Sequence, residues 1–91
     1  MLISFGLAAA LALGSVAPAM AVVESVGGGT WNHGLTSSPR GVWSNYVHNG
    51  KMHSATSIVD SHNVKVIQQP RIWANTSAQG SGVRYAYWDA W

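Results

Sequence analysis

Residues Val42 to Val59 constrain this chain more than any other stretch. Two runs rich in β-branched and aromatic residues flank the pair Asn49-Gly50. A two-residue type I′ turn needs positive φ at both central positions, which Asn and Gly tolerate best, so the pair predicts a β-hairpin. That turn would set His48 opposite Lys51, Val47 opposite Met52, Tyr46 opposite His53 and Trp43 opposite Thr56. Alternation then gives two faces. Trp43, Val47, Met52, Thr56 and Ile58 form the expected core face. The opposite face gathers Tyr46, His48, Lys51 and His53 near the turn.

The rest of the chain frames that hairpin. Its 91 residues allow one small domain. Charged residues make up 9%, and there are five Trp, a balance that argues against disorder. The net charge is +2 with no Lys/Arg run, which disfavours nucleic-acid binding and suits weak attraction to an anionic surface. There is no Cys, so stability must come from tight aromatic packing or from pairing with a second copy.

Residues 1–21 read as a secretory signal peptide. Leu2 to Leu13 is an apolar run, Gly14, Ser15 and Pro18 break it, and Ala19-Met20-Ala21 predicts cleavage after Ala21. The start carries no Lys or Arg, which implies a start upstream of Met1 or an unusually poor n-region. The competing reading is an uncleaved anchor, since the run approaches the ~20 residues of a membrane span.

Residues 22–29 read as a short flexible lead-in, and residues 30–91 as one domain. Thr30-Trp31-Asn32-His33 suggests a first strand, Leu35 to Gly41 a loop, Asp60-Ser61-His62-Asn63 a turn, and Val64 to Gln68 a strand that ends near Pro70. Arg71 to Thr76 suggests another strand. From Val83 to Trp91 the pattern alternates, with Tyr85, Tyr87 and Asp89 on one side and Ala86 and Trp88 on the other. No window of the mature part keeps a 3.6-residue period. The expected fold is all-β: a small antiparallel β-sandwich of short strands after an N-terminal signal peptide.

The chemistry is sparse. Glu24, Asp60 and Asp89 are the only acids. They supply no obvious carboxylate pair, and no nucleophile elbow or phosphate loop is present, so no catalytic residue is assigned and the chain is not read as an enzyme. His48 and His53, as diagonal neighbours on one hairpin face, lie within reach of a shared ion. A structural zinc site wants four ligands, so they are read as surface residues, with neither metal nor cofactor. Trp43 and Trp73 are expected inside, since Trp in a small domain usually supplies core. Trp31, His33, Trp88 and Trp91 are secondary binding candidates. Asn75-Thr76-Ser77 is a glycosylation sequon by pattern alone.

Three blocks carry a resemblance: Gly28-Gly29-Thr30-Trp31-Asn32-His33-Gly34; Ser44-Asn45-Tyr46-Val47-His48 with Lys51 and His53-Ser54-Ala55-Thr56; and Tyr85-Ala86-Tyr87-Trp88 with Trp91. With its leader and length, the chain resembles the lactococcin 972 family of secreted bacteriocins. The resemblance implies a disulfide-free, all-β, extracellular antibacterial protein. It implies a block of cell-wall synthesis at the septum of related Gram-positive bacteria, through lipid II and not through pores. It also implies self-association as a homodimer, and producers carrying a dedicated ABC transporter and an immunity membrane protein. Tyr46, His48, Lys51 and His53 are the candidate target-binding residues, against the simpler reading of a solvated polar cluster. The rival function is a secreted carbohydrate- or cell-surface-binding β-module without killing activity.

Overall fold

The computed structural model describes residues 20–91; the expected signal peptide falls mainly on residues outside them. Seven strands follow one another: β1 (Met20–Val26), β2 (Gly29–Ser37), β3 (Arg40–Val47), β4 (His53–Val59), β5 (His62–Gln68), β6 (Ala74–Gln79) and β7 (Arg84–Ala90). Two antiparallel sheets face each other, one ordered β1-β2-β3-β6 and the other β5-β4-β7. The all-β sandwich expected from the sequence is the fold found.

Turn chemistry explains the hairpins. β1 and β2 join through Gly27-Gly28, with φ of 62° and 84°, the doubly positive pattern of a type I′ turn. Val22 to Val26 therefore pairs with β2 (Val23 opposite Asn32), a strand where the sequence suggested a lead-in. The predicted cleavage point at Ala21 lies within β1, opposite Gly34. β2 and β3 join through Ser38-Pro39, so the expected loop over 35–41 is mostly strand. β4 and β5 join through Asp60-Ser61, with Asp60 at φ 55°.

The hairpin expected at Asn49-Gly50 is not there. β3 pairs with β2 and β6, whereas β4 pairs with β5 and β7. Residues 48–52 form a bend that carries the chain from one sheet to the other. Neither Asn49 nor Gly50 has positive φ. Instead the His48 ring organises the bend: its Nδ1 accepts hydrogen bonds from the Gly50 and Lys51 N–H groups, each at 3.0 Å. That local cap substitutes for the cross-strand bonds of a type I′ hairpin.

The faces are consequently reversed. Val42, Ser44 and Tyr46 of β3, and His53, Ala55, Ser57 and Val59 of β4, are buried between the sheets. Trp43, Val47 and Ile58, expected inside, are only half-buried, and Met52 and Trp73 are exposed. Two small apolar clusters, Val42–Val59–Ala78 and Tyr46–Ala55–Ala74, make the core. Hydroxyls lie between them, each with a partner. Ser44 Oγ accepts from Trp31 Nε1 and donates to the Tyr87 carbonyl, both at 2.8 Å. Thr76 Oγ1 donates to the Ser44 carbonyl at 2.8 Å, so in the 2.9 Å Ser57–Thr76 contact it is Ser57 that donates. The hydroxyls of Ser44, Ser57 and Thr76 are thus all paired, which offsets the cost of burying them between the sheets.

Candidate functional site

Four segments meet at one end of the sandwich: the Gly27-Gly28 turn, the 48–52 bend, the Gln69–Ile72 turn and Trp91. Backbone hydrogen bonds tie the bend to the Gln69–Ile72 turn and to Trp91. Arg71 N–H donates to the His48 carbonyl (2.9 Å), Trp91 N–H to the Met52 carbonyl (3.0 Å) and Ile72 N–H to the Gln69 carbonyl (3.2 Å).

Beneath this end lies an aromatic support. Tyr46 is wholly buried and stacks on Trp88, with centroids 5.0 Å apart. Its hydroxyl donates to the Val26 carbonyl at 2.8 Å. His53, also wholly buried, meets Tyr46 edge-on at 5.8 Å. Its Nδ1 lies 2.8 Å from the Lys51 carbonyl oxygen and its Nε2 2.6 Å from that of Ile72.

The four primary candidates therefore divide. Tyr46 and His53 do not face solvent; they hold the end together from below. The reason is the reversed face of β3 and β4, which turns the Tyr46–His53 pair inward. His48 and Lys51 remain at the surface, half-buried and exposed respectively. With Nδ1 occupied as an acceptor, neutral His48 carries its proton on Nε2. His48 and His53 share no ion site, since both His53 nitrogens are held by backbone carbonyls. Among the described residues no group of three or more His, Cys, Asp or Glu is placed to hold a metal ion.

The glycine turn completes the site. A cavity of about 350 Å³ opens beside it, lined by Ser25, Gly28, Gly29, Thr30, Val47 and Asn49. A Cβ on Gly28 would lie 3.0 Å from His48 Nε2, so the ring edge and the turn backbone border the same space. Sequence reasoning missed this turn. The signal was Gly-Gly between two β-branched runs, itself a hairpin signature.

The secondary candidates also separate. Trp31 and His33 stack at 3.7 Å on the inner face of β2, and His33 Nε2 contacts Glu24 Oε2 at 2.6 Å. They border a cleft of about 320 Å³ with Val22, Leu35, Val42 and Arg84. Trp88 belongs to the core under Tyr46. Trp91 is exposed at the turn end.

Burial raises the Tyr46 phenol above its ordinary value of 10.0; the negative charge of Asp89 adds to this and a hydrogen bond from the Gly29 backbone opposes it. The folded state thus holds the phenolic proton more tightly than the unfolded state. This contribution is fully present below pH 10.0 and is lost as pH rises through the raised value. Denaturant midpoints should fall in that alkaline range. Tyr46→Phe should cost about 1 kcal/mol at neutral pH for the lost hydrogen bond, yet flatten the alkaline decline. An unchanged decline in the variant would assign it to other groups.

Comparison with known proteins gives a family. No curated protein and no solved structure matches the chain. A model of the lactococcin 972 bacteriocin family matches residues 27–88, from the glycine turn to the Trp88 that supports it. That span covers more than half of the chain and joins the turn, the bend and the aromatic support in one match, and the chain is accordingly a member of the lactococcin 972 family of bacteriocins.

Proposed function

We propose that this bacteriocin is exported, loses its leader after Ala21, and blocks cell-wall synthesis in related Gram-positive bacteria by holding the lipid II headgroup at the turn end of the sandwich. It acts by binding, with no chemical step. The observation that carries this reading is a cavity at the glycine turn, lined by Ser25, Gly28, Thr30 and Asn49 and bordered by His48 Nε2, with the exposed Lys51 three residues along the same bend: hydroxyl, amide, imidazole and ammonium donors suited to a pyrophosphate. Charge-assisted hydrogen bonds to phosphate oxygens are short and strong. A rigid turn borders the site, so little ordering cost is expected on binding.

Killing of sensitive lawns should be antagonised by added lipid II. Lys51→Gln should raise the inhibitory concentration roughly tenfold, as loss of one charged hydrogen bond implies. Killing that lipid II leaves untouched would remove the target. Full potency in both Lys51→Gln and His48→Ala would move the site elsewhere.

One observation favours a second role on the cell surface. Tyr85 and Tyr87 are exposed on β7, with parallel rings 6.1 Å apart. Exposed aromatic faces suit sugar rings, and wall retention without growth inhibition would favour a binding module over the lipid II reading.

A further inference from the structure

The turn end carries more than the headgroup cavity. Met52, Ile72, Trp73 and Trp91 are 37%, 48%, 41% and 54% exposed. All four lie outside the strands, Met52, Ile72 and Trp73 in the connections at this end and Trp91 bonded to Met52. Lys51 and Arg71 are exposed among them, and neither takes part in an ion pair among the described residues. Other exposed apolar residues, such as Val23, Ile67 and Tyr85, lie along strands and have no such pair of cations among them. The nearest acid along the chain is Asp89, two residues before Trp91, with Oδ1 accepting from the Ala90 N–H.

From this combination we infer that the turn end is a peripheral docking surface for an anionic phospholipid bilayer. Trp is suited to the headgroup level, where one part of the ring is apolar and another polar. Exposed cations add attraction to anionic lipid that salt screens. Charge complementarity favours an anionic lipid surface, since the two cations stand among apolar tips and neither the 48–52 bend nor the Gln69–Ile72 turn carries an acid. Among the described residues no helix is long and apolar enough to cross a membrane, and the surface is an interfacial one. Docking here would bring the Gly28–His48 cavity down to the layer where a lipid-linked headgroup sits. The inference complements the lipid II reading and does not depend on it.

Arg71 supplies the decisive variant. It occupies the third position of the Gln69–Ile72 turn with φ of 75°, after Pro70. This is the position where a type II turn favours Gly. Arg71→Gly therefore relieves backbone strain while it deletes the charge, so lost binding cannot be blamed on lost folding. The test uses the mature chain, residues 22–91, and phosphatidylglycerol vesicles free of any wall precursor. The protein should co-sediment with these vesicles and not with phosphatidylcholine, and its Trp fluorescence should shift to the blue. Arg71→Gly and Lys51→Gln should each weaken partitioning roughly fivefold, as expected for one basic residue at an anionic surface. Trp73→Ser and Trp91→Ser should each weaken it by about tenfold through lost apolar burial. Lys65→Gln, on the outer face of β5, should leave it unchanged. No binding to phosphatidylglycerol, binding indifferent to these four substitutions, or an equal loss in Lys65→Gln would overturn the inference. Because the vesicles hold no lipid II, failure of the target assignment would leave this result standing.

Discussion

Replacing Gly29 by Ala should lower the melting temperature by roughly 10–20 °C, as a loss of about 3 kcal/mol does in a domain of this size. A Cβ at this position would fall 2.4 Å from the Val47 carbonyl oxygen and 2.5 Å from the Tyr46 hydroxyl. The first is backbone in a paired strand and the second a fully buried ring, so neither can withdraw cheaply. Gly50→Ala is the informative contrast. A Cβ there meets nothing closer than 3.8 Å, and its φ is not positive. Its cost should stay within about 0.5 kcal/mol, and a small gain from a stiffer unfolded chain would be no surprise. A type I′ hairpin at Asn49-Gly50 demands the reverse order of effects. Thermal melts of the two variants thus distinguish the bend from the hairpin in one experiment.

That contrast shows what the chain declares locally and what it does not. The β7 alternation was legible, because Tyr85, Tyr87 and Asp89 face out and Ala86 and Trp88 face in, as period two requires. The Asp60-Ser61 turn was legible for the same local reason. The pairing of β3 was not, because it is settled by partners far along the chain: Tyr46 lies between Trp31 and Ala74 in its sheet. Face assignment failed on hydrophobicity. Trp43 and Val47 look like core and Ser44, Ser57 and Thr76 like surface, but the hydroxyls satisfy one another across the two sheets and so go inside. Of the candidate site, Lys51 and His48 could be read from residue type. The glycine turn carried a signal in Gly27-Gly28, but its approach to His48 could not be read, because it depends on the register of β1 against β2 and of β2 against β3.

His53→Ala should be the other severe change, at about 3–5 kcal/mol. The ring is wholly buried, so its removal leaves a cavity beside Tyr46. It also strips the Lys51 and Ile72 carbonyls of their partner. Those two carbonyls belong to the bend and to the turn that follows β5, and His53 is the side chain that clamps one to the other. His53→Phe separates the two contributions. It restores most of the volume and the aromatic contact but donates nothing, so it should remain about 2 kcal/mol or more below the parent. His48→Ala should cost only about 1 kcal/mol, since the Gly50 and Lys51 N–H groups it leaves are at the surface and water can replace the ring. Denaturant titrations would rank the three. If His48→Ala proved as damaging as His53→Ala, the load on this end would rest on the bend itself and not on the buried clamp below it. If His53→Phe matched the parent, the two carbonyl contacts would contribute nothing, and packing against Tyr46 alone would explain why a histidine sits in the core.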